Sequence, residues 1–506
     1  MSYNKIFTNT VFLYGKSILT VFITMYSTRL ILKAMGVDDY GIYSLIGGLI
    51  TMLIFLNMAM SSATQRYISI FLGKGELDKL NAVFHTTVLF HLIIAITLVC
   101  VLEFAGLFLF DGFLNIPSNR LDAAKIIYQF VVVSTFFSIN AAPYDALINA
   151  HEDMKFLAVV GVFETLLTLG IAVFITYYSE DKLVTFGLLN MFLIIISRIT
   201  KSVFCKLHYS ESKLHISKFK ERYLFKEMFS YARWNLLGTL SYLSRTQGIG
   251  VVLNLFLGTI ANTAYGVSTQ LSNQVNFFSR TVYTTFRPQI IKNEGAGKRD
   301  EMISMSLVLS KMSYLLLGFV SIPILFELHG ILLFWLDVVP KYVEVICTGL
   351  IISLLINQVT IGLDVAIHAT GSIKRYMVIT GLLRIILLPV AYVLLKLEFA
   401  LVYVIIANCV TDLIAGFIRY NVFKRLVDLK SVQFLSKVIM PVAIPSIVTA
   451  GFMFVGLKYL IIDYRFVYSV ISGSLVFVFS TFLFSFSKSE RIMMSNKVVS
   501  ILRKIQ

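Results

Sequence analysis

"AMGVDDYGIYSL", residues 34–45, comes back 222 residues later as "LFLGTIANTAYGVSTQL", residues 255–271, with Gly36 falling on Gly258. The same offset pairs "FTNTVFLYG" at Phe7 with "FSYARWNLLG" at Phe229, and Asp78 of "GKGELDKL" with Asp300 of "GAGKRDEM". A three-residue insertion moves Tyr40-Gly41 to Tyr265-Gly266, after which the register returns. Further on, "DALINAHEDMK" from Asp145 matches "DVAIHATGSIK" from Asp364 at an offset of 219. Each match is weak alone; a nearly constant offset across six hydrophobic segments is the mark of an internal repeat.

What is repeated is membrane-spanning. The 506 residues are 57% apolar and only 14% charged, far from the roughly 45–50% and 25% of soluble domains. Apolar stretches of about 20 residues, the length a spanning helix needs, recur along the chain. The expected spans are 8–33, 40–63, 82–110, 122–149, 156–179, 183–205, 228–257, 260–286, 303–335, 342–368, 376–396, 398–419, 434–459 and 466–486. The chain therefore reads as an all-α, polytopic membrane protein of about fourteen helices. It divides into a six-helix lobe over 1–210, a second over 211–430, and two further helices with a basic tail over 431–506. Six spans per copy is even, so both copies enter from the same side and are related by a parallel pseudo-twofold axis. The first span is too long for a signal h-region and is expected to be retained. The longest polar insert, Lys206 to Lys226, is too short to fold alone.

Lys and Arg set the orientation, because short positive loops stay in the cytoplasm. With the N-terminus inside, about 26 of them fall on inner segments and about 6 on outer ones, so both termini are expected to be cytoplasmic. The formal charge of +16 is then mostly a topology signal with some attraction to anionic membrane lipids, not a nucleic-acid footprint. The four cysteines and seven histidines are scattered, without metal-ligand spacing, and no cofactor is expected.

Three stretches carry a family resemblance: "STRLILKAMGVDDYGIYSL" (27–45), "SSATQRYISIFLGKGELDKL" (61–80) and "NTAYGVSTQLSNQVNFFSRTVYTTFRPQIIKNEGAGKRD" (262–300). They resemble the polysaccharide transporters, or oligosaccharide-lipid (O-antigen-type) flippases, of the multidrug/oligosaccharidyl-lipid/polysaccharide exporter superfamily. The resemblance spans most of residues 5–430 and is weakest in the last two helices. It implies two lobes around a central cavity in a bacterial inner membrane, and a polyprenyl-diphosphate-linked oligosaccharide as cargo. It also implies alternating access, with the lipid tail left in the bilayer through a lateral opening.

An ionised group within the bilayer core costs about 2.5 kcal/mol or more, so such residues face a bundle interior or water. The basic ones are Lys16, Arg29, Arg233, Arg245, Arg280 and Arg384; the acidic ones are Glu103, Asp145, Glu164, Glu327, Asp364 and Asp412. Basic residues gather on the first, seventh and eighth spans, which border the cavity in the family named. On the eighth, Arg280 shares its helix with Gln270, Asn273, Gln274 and Asn276, a density of hydrogen-bonding groups that suits sugar and not lipid. Arg280 precedes Arg287 by roughly 10 Å of helix, which reads as too deep for snorkelling. Arg280, Arg245 and Lys16 are expected to contact the diphosphate, whose oxygens accept paired donors from arginine. Arg29 is typical of the family but lies close to the outer end. Lys16 and Arg29 are thirteen residues apart and share a face only if their helix bends. The structural alternative pairs these cations with Asp145, Asp364 or Glu103.

Asp145 and Asp364 hold equivalent places in the two repeats. Coupling to a proton or sodium gradient fits them, as does holding an inner gate shut; salt bridges to loop cations such as Lys155 and Lys374 are the purely structural alternative. Pro143 and Pro389 mark expected kinks. A drug or organic-cation antiporter of the same superfamily is the rival reading, though it calls for acidic residues where the first, seventh and eighth spans are basic. A polymerase or glycosyltransferase needs an outer catalytic loop, and the outer loops are short and nearly free of paired carboxylates such as Glu180-Asp181. The chain is therefore not expected to be an enzyme. The basic inner loops also suit contact with polysaccharide assembly enzymes.

Overall fold

The computed structural model describes residues 3–53, alternating positions of 57–72, then 75–151, 153–212, 222–370, 374–427, 429–459 and 465–486, with side chains from residue 19 onward and again from 240. The described chain is helical throughout, in the order α1 (Tyr3–Leu53), α2 (Leu77–Phe108), α3 (Leu121–Ala150), α4 (Met154–Tyr177), α5 (Lys182–His208), α6 (Arg222–Gly295), α7 (Arg299–Phe326), α8 (Leu328–Leu336), α9 (Val343–Gln358), α10 (Ile361–Ala369), α11 (Lys374–Lys396), α12 (Leu401–Val427), α13 (Met440–Tyr459) and α14 (Arg465–Phe484).

Among the described residues ten helices are long and apolar enough to cross a membrane, or eleven if α9 and α10 count as one bent span. The expected segments correspond to these helices, but not one to one. The first and second expected spans are merged in α1 across Gly36 (φ 81, ψ 175). The seventh and eighth are merged in α6 across Gly258 (φ 72, ψ −165). Both are positive-φ conformations that a residue with a Cβ adopts only under strain, so each copy of the repeat turns between spans without a loop. The expected span 303–335 ends early at Glu327, and α8 follows as a separate short helix. Pro143 lies within continuous α3 and Pro389 within continuous α11; the fourth span of the second copy is instead broken, α9 and α10 meeting at 49°.

The chain forms two compact units, Met1–Gly266 and Val267–Gln506. The first holds two large apolar clusters among its described residues. One gathers Leu80, Val83, Phe84, Leu147, Ile148 and Cys205; the other gathers Ile42, Ile46, Leu102, Ile127, Tyr128 and Leu183. The core of the second unit brings together Ile290, Met302, Leu309, Leu363, Ile367 and Phe423. Outside these clusters large apolar side chains are exposed, Phe104, Phe163 and Phe417 among them, as befits helices whose outer solvent is lipid. Hydroxyls turn inward and bond back to their own helix, as Ser134 does to Phe130 O and Thr380 to Tyr376 O, both at 2.8 Å. No backbone or hydroxyl group can look to lipid for a partner.

In the second unit α13 and α14 are fastened to α7 at both ends. Arg465 Nε lies 3.2 Å from buried Glu327, and Lys311 Nζ donates to Ser485 O at 3.2 Å. Between them Tyr314 and Ser446 hydroxyls meet at 3.1 Å. The final helix pair is thus part of this unit's packing.

Candidate functional site

Three polar regions interrupt the apolar helices. The first is the meeting of the two repeat corners, inside the first unit. Thr259 Oγ1 donates to Asp38 Oδ1 at 2.7 Å, and the Thr263 hydroxyl donates to Val37 O. Asn254 exchanges bonds with the backbone of Asn115, accepting at 2.8 Å and donating at 3.2 Å. The helices approach so closely that a Cβ on Gly41 would overlap the Thr259 carbonyl. Beside this contact Arg120 donates to both oxygens of Asp39 at 2.7 Å and to both of Asp181 at 2.8 and 3.0 Å. The two carboxyls respond in opposite directions. Burial, outweighing the same guanidinium, holds Asp39 above the usual carboxylate range. The hydrogen bond from Arg120 holds the more exposed Asp181 below it.

The second region is a pair of equivalent ion clusters. In the first unit Asp145 lies 3.1 Å from Lys201 Nζ and 3.6 Å from Arg198 Nη1, both on α5. In the second unit Asp364 lies 3.6 Å from Arg419 Nε on α12 and accepts from the Tyr376 hydroxyl. Arg419 is itself buried and donates to Tyr376 Oη (3.1 Å), Asn357 Oδ1 (3.1 Å) and Thr360 Oγ1 (3.2 Å). In both copies the aspartate on the fourth span meets a cation on the sixth. Sequence analysis placed the structural partners on loops, at Lys155 and Lys374, and did not single out Arg198, Lys201 or Arg419. Their spacing held the signal, since Lys201 and Arg419 are 218 residues apart, nearly the repeat offset. The remaining acidic residues are engaged too. Glu103 accepts from Gln129 at 3.1 Å, Glu164 pairs with the Ser197 hydroxyl and Asp412 with that of Ser353.

The third region is the eighth span, the stretch of α6 after Gly258. Gln270, Gln274 and Asn276 are partly buried, while Asn273 and Arg280 are exposed. Among the described residues Arg280 makes no ion pair; Asp145, Asp364 and Glu103, its proposed structural partners, are bonded elsewhere. Helix α6 continues past Arg280 and Arg287 to Gly295. Arg29 and Arg245, both in the first unit, are partly buried, and each is engaged in an interaction. Lys16 is on α1, but its side chain, like that of Arg233, lies outside the described residues. Among the described residues no three His, Cys, Asp or Glu side chains converge to hold a metal.

Comparison with known proteins agrees with this architecture. The MatE family model matches residues 13–197. A Bacillus subtilis (strain 168) protein called uncharacterized membrane protein EpsK is 21% identical over 308 residues, 60% of this chain and 59% of that protein. Among solved structures, lipid II flippase MurJ in an inward closed conformation superposes with a TM-score of 0.66 at 16% identity, over 94% of this chain and 98% of its own. The inward-facing conformation of a multidrug resistance MATE family transporter of the MOP superfamily gives 0.64 at 11% identity, over 82% of this chain and 100% of its own. A MOP superfamily transporter from Pyrococcus furiosus, described as having a binding pocket of reverse polarity, gives 0.52 at 12% identity, over 80% and 95%. The chain therefore has the all-helical, multi-span fold shared by MATE and MurJ transporters of the MOP superfamily, with the MatE signature in its first six spans.

Proposed function

We propose that the protein is a flippase. It carries a polyprenyl-diphosphate-linked oligosaccharide from the cytoplasmic to the outer leaflet of a bacterial inner membrane by alternating access, supplying cell-surface polysaccharide synthesis. The observation that carries this reading is an asymmetry of charge. The acidic residues of the membrane helices are satisfied within the protein, by cations at Asp145, Asp364 and Glu327, whereas Arg280 is exposed and without a carboxylate among the described residues. A site with unsatisfied positive charge and neighbouring amides recruits an anionic, sugar-bearing group. Arg280 is proposed to receive the diphosphate of a lipid entering from the cytoplasmic leaflet. Gln270, Asn273, Gln274 and Asn276 continue from it toward the outer side as hydrogen-bonding partners for sugar. Arg245, Arg29 and Lys16 are proposed to extend the basic path. Both termini are cytoplasmic in this reading.

Asp145 and Asp364 act in this account as supports, each tying a fourth span to a sixth. A proton or sodium gradient would drive the cycle only by loosening these ties.

The superposition on a multidrug MATE transporter favours a second reading, efflux of organic cations. Proteoliposomes separate the two. The flippase reading expects translocation of a fluorescent prenyl-diphosphate-linked sugar and no ethidium transport under an imposed proton or sodium gradient; ethidium transport alone would overturn it.

A further inference from the structure

We infer that α6 carries a second anion station, formed by Arg287 and the ring of Tyr283, which receives the phosphate-bearing headgroup of a cytoplasmic-leaflet lipid before Arg280 does. This deepens the proposed function and rests on it, adding a residue that the charge pattern of the spans alone had treated as a loop marker.

Three observations lead there. Asn273, Arg280 and Arg287 follow one another at intervals of seven residues, and all three are exposed. Seven residues are close to two turns, so they form one stripe on one helix face, with steps of about 10 Å. Second, the cations that follow this helix, at the start of α7, are neutralised locally and those of the stripe are not. Lys298 pairs with Glu301 at 3.3 Å and Arg299 with Glu294 at 3.0 Å, whereas neither Arg280 nor Arg287 has an ion pair among the described residues. Third, the Arg287 guanidinium lies 5.8 Å from the centre of the Tyr283 ring. A guanidinium held by an aromatic ring keeps its N–H edge free for two oxygens of one phosphate.

Position gives the stripe its direction. Arg287 lies seven residues, about 10 Å, beyond Arg280 toward the end of α6 at Gly295. Asn273 lies the same distance before Arg280, so the order along the helix is Arg287, Arg280, Asn273 from its C-terminal end inward. An anion at Arg287 is about one Debye length from Arg280 at physiological salt, so the second cation attracts it while the first still holds it. A diphosphate gains more from two such stations than the single charge of a common phosphodiester headgroup.

Binding to the full chain in phosphatidylcholine nanodiscs tests this, with radiolabelled farnesyl diphosphate as probe. Competing arms use soluble inorganic pyrophosphate and nanodiscs enriched in phosphatidylglycerol. Arg287→Gln is expected to weaken farnesyl diphosphate binding by about tenfold or more, the worth of a charged hydrogen bond. Arg287→Lys is expected to recover only part of it, and Tyr283→Leu to weaken it several-fold. Arg280→Gln should weaken it as well. Unchanged melting temperatures would show that these exposed substitutions leave the fold intact. Loss of affinity in Arg280→Gln with none in Arg287→Gln would overturn the second station while leaving the proposed function standing. No loss in either variant would overturn both. Displacement of the probe by phosphatidylglycerol at equal mole fraction would reduce the station to a general contact with anionic lipid, and also overturn it. Competition by pyrophosphate as strong as self-competition by farnesyl diphosphate would mean the station reads a free anion and not a lipid headgroup.

Discussion

Thr259 Oγ1 donates a 2.7 Å hydrogen bond to Asp38 Oδ1, joining the corner that follows Gly258 to the corner that follows Gly36. The turns after Gly36 and Gly258 thus pack against each other, and close approach is possible because residue 41 is glycine. Gly41→Val should lower stability by about 1–3 kcal/mol, the usual cost of overpacking, since its side chain meets a backbone carbonyl that cannot rotate away. Gly47, six residues on, has no heavy atom within 4 Å of a would-be Cβ. Gly47→Ala should be neutral or stabilising by up to about 1 kcal/mol. Thermal unfolding of the two variants in one detergent checks the contrast.

The ion clusters should differ in weight. Arg419 and Asp364 are more buried than Lys201 and Asp145, with side-chain exposures of 4% and 22% against 11% and 32%. Arg419→Met should cost about 3–5 kcal/mol by leaving a carboxylate without its cation. Adding Asp364→Leu should restore much of that loss. Lys201→Met should cost less, because water and Arg198 still reach Asp145. A double-mutant cycle on each pair, read by urea or thermal unfolding, gives the comparison.

The two partners of Arg120 should show opposite pH dependence. Asp181 has its carboxyl held below 3.8, the ordinary value, so its contribution is complete above that value and is lost as pH falls through the lower, folded one. Asp39 is held above 3.8, so its ionised form is the less favoured in the folded protein, and acidification through its folded value relieves that cost. Asp181→Asn should therefore destabilise at pH 7 and lose its effect in strong acid. Asp39→Asn should be the milder change at pH 7. Melting curves of both variants between pH 3 and 7 test the signs; a larger loss at pH 7 for Asp39→Asn would contradict them.

Much of this was legible in the sequence because hydropathy and repetition are one-dimensional signals. The constant offset that paired Gly36 with Gly258 in sequence also paired them as kinks in the structure. The merging of spans was not legible, since an apolar run interrupted by Gly reads the same whether the chain bends or loops. Partners of buried charges were harder still. Asp364 and Arg419 are 55 residues apart, and hydropathy does not say which faces of two helices meet.

Arg280, which makes no ion pair among the described residues, is proposed to serve the passage of an anionic lipid headgroup. The most direct test of this proposal is the amount of lipid-linked glycan on the cytoplasmic leaflet of cells that depend on this protein. Arg280→Ala, Arg280→Lys and the unaltered chain would be compared at matched protein levels. The account predicts accumulation on the inner leaflet with alanine, partial relief with lysine, and none with the unaltered chain. Normal export with alanine at position 280 would contradict it.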